Sequence, residues 1–190
     1  KYYTLDEHIK YFNYVQRFLN GTVKKLLRNQ PKCINPKQFK NSSGFTIGDI
    51  IDLEYKIGTK SNYGVIYKTS VKEMLGSFPI ATKLMEVTED NTKEVNMNVA
   101  ISNHIMKKKR SRHFLLCYKA YQCDSPSYGS HSIPNIIAGK QYYLALNEMA
   151  FGDIFSILSK PETYSDQRTV LNIILQCFLS IVTFHKLGYI

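Results

Sequence analysis

The chain has 190 residues, an ordinary apolar content of 44% and a formal charge of +10. That length buries the core of one domain or one and a half, and the charge favours an acidic partner such as a nucleotide, a nucleic acid or an anionic surface. Four cysteines, Cys33, Cys117, Cys123 and Cys177, form no C-x-x-C pair, and no histidines pair at zinc spacing; they read as free thiols in a reducing compartment.

Residues 1–29 predict a helix. Leu5, Ile9, Phe12, Val15, Leu19, Val23 and Leu26 recur at steps of three and four, and Lys10, Arg17, Lys24, Lys25 and Arg28 make the other face basic. Gly21 weakens or breaks it, giving one helix or two. Pro31 to Gly44 reads as a loop. Three strands follow, Leu53–Ile57, Gly64–Thr69 and Phe78–Met85, with short connections. Glu86 to Thr92 is turn-like and includes Glu89 and Asp90. Asn91 or Thr92 then caps a helix over Lys93–Lys109 with Met97, Ile101 and Ile105 as its stripe.

Phe114–Tyr121 and Gln141–Leu146 predict two more strands around a Pro-, Gly- and Ser-rich loop. Phe151–Leu158 and Thr169–Lys186 predict helices. The apolar run Ile173–Phe184 is too short and too interrupted to cross a bilayer. The class is α+β: a five-stranded antiparallel sheet with one inserted helix, then helices. The expected divisions are a helical extension over 1–49, a sheet domain over 50–150 and a helical segment over 151–190.

The chemistry gathers in the sheet domain. In Ile57-Gly58-Thr59-Lys60-Ser61-Asn62-Tyr63-Gly64-Val65-Ile66, a glycine-containing turn joins two strands. In Ile80-Ala81-Thr82-Lys83, a lysine ends a third. Such an arrangement lays a flexible backbone over phosphates and brings one ammonium to them. Leu144-Ala145-Leu146-Asn147-Glu148-Met149-Ala150-Phe151-Gly152-Asp153 runs from strand into helix. Phe184-His185-Lys186-Leu187-Gly188-Tyr189-Ile190 closes the last one.

Taken together, from about Leu53 to Ile190, these segments resemble the protein kinase fold of serine/threonine type. Lys93-Glu94-Val95-Asn96-Met97, with Ser111-Arg112-His113-Phe114, resembles kinases of large DNA viruses. The resemblance implies an ATP-binding lobe followed by the first helices of a second lobe. It implies that Ile57, Gly58, Ser61, Gly64 and Ile66 cover the nucleotide, with Ser61 where the family has its middle glycine. Ala81 lies beside the adenine, and Lys83 holds the phosphates. Glu94 is the first choice to orient Lys83; one turn on stands the uncharged Asn98. Leu146 becomes the residue at the back of the pocket, while the Asn147 carbonyl and the Met149 amide take the adenine edge. Asp153 either accepts from a ribose hydroxyl or serves as an N-terminal helix charge. His185 becomes a packed, bracing histidine.

The family's catalytic loop and metal-binding segment fall beyond Ile190, so the Mg2+ ligands and catalytic aspartate are expected outside this sequence, and no metal ligand is assigned within it. The implied activity of an intact enzyme is γ-phosphoryl transfer from ATP to protein hydroxyls. The implied setting is intracellular, in host cytoplasm or virion, with virion or host proteins as partners. Two alternatives stand beside it: a non-catalytic pseudokinase or interaction module, and a nucleic-acid-binding protein using Lys107-Lys108-Lys109-Arg110-Ser111-Arg112. The competing role for that run is a solvated helix end.

Overall fold

The computed structural model describes residues 4–25, 37–38, 44–61, 64–76, 79–108, 111, 113–124, 137, 139–150 and 152–189. Helix α1 spans Leu5–Phe18. Thr4 opens it with a capping box: its hydroxyl accepts from the Glu7 amide, and the Glu7 carboxylate accepts from the Thr4 amide. Ile9, Phe12 and Val15 are buried along one face. Gly21 does not break the helix. One turn of π-helix, Leu19–Val23, continues it, and this wider turn keeps Leu19 and Val23 on the buried side at a step of four.

Among the described residues the sheet has seven strands, not five. They are β1 (Lys37–Gln38), β2 (Phe45–Ile47), β3 (Ile51–Ser61), β4 (Gly64–Val71), β5 (Ile80–Glu86), β6 (Cys117–Asp124) and β7 (Gln141–Glu148), antiparallel in the order β1-β2-β3-β4-β5-β7-β6. The five expected strands form its body. Two short ones extend the β3 edge, and β2 shows no alternation because all three of its residues are buried. Gly48 and Asp49, both at positive φ, turn β2 into β3. The fourth expected strand begins later, at Cys117, because Leu116 packs into the core before the pairing starts.

The inserted helix α2 is Glu89–Lys108. It begins one turn before Lys93, so Glu89 and Asp90 belong to its first turn. Thr88 is the capping side chain, accepting from the Asn91 amide at 3.2 Å, while the Asn91 side chain turns back to the Glu86 carbonyl at 2.8 Å. Ile101 and Ile105 of the expected stripe are buried, with Val95 and Met106 beside them, while Met97 faces solvent. Lys107 and Lys108 end α2, where cations complement the dipole; Lys109, Arg110 and Arg112 lie outside the described residues.

The period of the strands splits the sheet into two faces. Along β4, Val65, Tyr67, Thr69 and Val71 are buried, while Ile66, Lys68 and Ser70 are not. The buried face joins Leu84, Leu144, Leu146 and Tyr118 to Phe12 and Val15 of α1 and Leu19 of the π-helical turn in one core. The helical extension is therefore part of the same core as the sheet. Tyr121 donates to the Leu19 carbonyl at 2.8 Å, and Gln16 Nε2 donates to Asn103 Oδ1 at 2.9 Å, which ties α1 to α2.

After β7 come α3 (Ile154–Leu158), α4 (Pro161–Tyr164) and α5 (Gln167–Lys186). Helix α5 has 20 residues and is long and apolar enough, by length and composition alone, to cross a membrane, which corrects the shorter run expected. Asn172, Gln176, Ser180 and Thr183 nonetheless recur at helical spacing along it. Phe184, Leu187 and Tyr189 at its end pack on the core, while Leu171, Phe178 and Ile181 are exposed. His185 is exposed too; the packed residue is its neighbour Phe184.

Cysteine usage also departs from expectation. Cys117 and Cys177 are free, but Cys123 is disulfide-bonded, its partner lying outside the described residues. Sequence spacing speaks to metal motifs; a disulfide needs only proximity in space.

Candidate active site

The less buried face of the sheet forms one wall of a cleft of about 430 Å³. Ile57, Gly58, Gly64 and Ile66 line it from β3 and β4, and Ala81 and Lys83 from β5. Glu148, Met149 and Asp153 line the far side. Register explains the grouping: Ile57 pairs with Ile66 and Ile66 with Lys83, so all three side chains share one face.

Lys83 Nζ donates to Glu94 Oε1 at 2.6 Å. Starting α2 at Glu89 puts Glu94 in its second turn, over β5. Asn98, a turn further, is exposed, and its carbonyl accepts from the Ser102 hydroxyl. The Lys83 side chain is 20% exposed and that of Glu94 35%, so the ammonium is fixed by one carboxylate while keeping access to the cleft.

The two glycines differ. Gly58 has φ +71 and open space around its α-carbon, at an irregularity between Ile57 and Ser61. Gly64 has φ +138, and a Cβ there would land on the Leu84 carbonyl oxygen. Strand β3 runs through Ser61, which pairs with Gly64.

Leu146, Asn147 and Met149 are the residues expected around the adenine. Leu146 pairs with Thr82 and is fully buried in the core; it does not line the cleft, and Ala145 stands across from Lys83. Asn147 lies opposite Ala81, with its side-chain amide donating to the Ala145 carbonyl at 3.2 Å. The Met149 amide donates to the Pro79 carbonyl at 3.2 Å, so this donor is already engaged. Asp153 lines the cleft and also caps α3, with Oδ1 accepting from the Ser156 hydroxyl and amide, each at 2.6 Å. These two bonds hold its carboxyl below the usual range.

Glu148, Leu115, Ala150, Gly152 and Ser156 also line the cleft but carry no distinctive spacing in sequence. His8 is the least foreseeable neighbour: its Nε2 lies 2.9 Å from Glu148 Oε1, across 140 residues of chain. Among the described residues no group of three or more His, Cys, Asp or Glu gathers to hold a metal ion.

No protein-family model matches this chain, and no characterised protein matches it by sequence. Among solved structures, the kinase domain of BubR1 aligns with 82% of this chain and 42% of its own, at 14% identity and a TM-score of 0.43. The chain thus spans less than half of that domain. The likeness is to a generic kinase-like fold and carries no argument about activity.

Proposed function

We propose that this chain is the ATP-binding part of a serine/threonine protein kinase-like enzyme. The observation that carries the reading is the 2.6 Å Lys83–Glu94 pair at the edge of a glycine-bounded cleft. A lysine held by a helix carboxylate offers its ammonium to anionic oxygens at a fixed point, and positioning with charge is most of what phosphoryl transfer asks of a protein. The cleft volume lies in the range of small-molecule sites, and Ile57, Ile66 and Ala81 give it apolar walls for a planar base. ATP supplies the phosphoryl group; this chain's part is to bind and orient it. The described residues gather no group of three or more acidic, histidine or cysteine side chains that could hold Mg2+.

A second reading is a pseudokinase or non-catalytic interaction module. The Met149–Pro79 bond favours it, because a base that needs the Met149 amide must first displace it. Calorimetric titration with ATP separates these readings from the nucleic-acid one. Lys83→Met is expected to weaken ATP binding at least tenfold, and Glu94→Gln several-fold with little change in melting temperature. Equal ATP affinity in wild type and Lys83→Met would overturn the placement of phosphates at Lys83. Transfer of phosphate by the intact enzyme, lost in Lys83→Met, would exclude the non-catalytic reading.

A further inference from the structure

Helix α1 contacts two of the parts that frame the cleft. Its face toward the core is apolar, and beside the bond from Tyr14 to the Leu75 carbonyl it makes two polar side-chain bonds to those parts. His8 meets Glu148, the residue after which β7 leaves the sheet, and Gln16 meets Asn103 on α2, the helix that carries Glu94. Glu148 is doubly held, since its amide donates to the Leu116 carbonyl at 2.8 Å while its carboxylate faces His8. With a carboxylate as acceptor, the imidazole is the donor. Tyr11 and Tyr118 complete the surroundings: their rings lie 6.3 Å apart, and Tyr118 is fully buried beside Phe12. The side chains of His8 and Glu148 are 13% and 28% exposed, so their bond is shielded from competing water. A helix added for packing alone would need none of these polar bonds.

We propose that His8 is a positioning residue: through Glu148 it fixes the β7–α3 connection, and α1 acts as a strut tying that connection to α2. The effect on nucleotide affinity rests on the ATP-binding reading above; the strut itself does not. Hydrogen exchange on the whole chain without nucleotide tests the strut directly. His8→Leu is expected to speed exchange of the Glu148 and Met149 amides about tenfold while β4 amides stay unchanged. His8→Gln, which keeps a donor, should restore the protection.

Glu148→Ala approaches the same bond from the other side, and the double variant should add nothing further. Unchanged exchange at Glu148 and Met149 in His8→Leu, or additive effects in the double variant, overturns the strut. In the same variants, ATP affinity is expected to fall about fivefold in His8→Leu and recover in His8→Gln. If wild type takes no ATP, the nucleotide reading falls while the exchange result still decides the strut. If ATP binds and His8→Leu changes neither affinity nor exchange, the strut alone falls.

Discussion

At Gly58 and Gly64 the hairpin over the cleft obeys two different constraints. Gly58 needs only a left-handed backbone, so Gly58→Ala is expected to cost about 1–2 kcal/mol. Gly64 combines φ +138 with direct approach to the Leu84 carbonyl, so any side chain must push two strands apart. Gly64→Ala is expected to cost about 3 kcal/mol or more, and urea denaturation of the two variants side by side measures the gap. The sequence treats both positions alike, as parts of one expected phosphate lid. It cannot separate them, because close approach depends on which strand lies alongside.

Among the elements, α2 decides most about the site. Its cap at Thr88 sets where the helix starts and hence which residue stands over Lys83. Thr88→Ala is expected to cost about 1 kcal/mol, with fraying of the first turn read as faster exchange of the Asn91 and Thr92 amides. The sequence carried the five central strands and α2, which rest on local period; Glu94 as the partner of Lys83 came only with the kinase resemblance. It did not carry β1 and β2, which are too short to show a period, nor the burial of Leu146, which follows from its pairing with Thr82. His8 near Glu148 had no local signal of any kind. The cap fell to Thr88, before both expected candidates, Asn91 and Thr92, and Asn91 spends its side chain on the Glu86 carbonyl instead.

For the molecule as a whole, one core holds α1, the sheet and part of α2, and it holds groups that resist ionisation. Burial pushes the Cys117 thiol from 9.0 up to about 12, and burial likewise raises the Tyr118 and Tyr121 phenols well above their ordinary range. These groups stay protonated in the folded chain after the unfolded chain has released its protons. Stability is therefore full below about pH 9 and falls as pH rises, by about 1.4 kcal/mol per pH unit for Cys117 until it too titrates. Urea midpoints taken between about pH 8 and pH 11 should show this slope, and Cys117→Ala should remove its first stage. The placement of α1 has a consequence in time as well. Its partner Glu148 follows His8 by 140 residues, and at synthesis rates of about 5–20 residues per second that distance takes roughly 7–28 s to emerge. For that interval α1 is an amphipathic segment whose partner on β7 does not yet exist. Its docking on the sheet comes late in folding, and chaperones that hold exposed apolar helices during translation have their longest opportunity there.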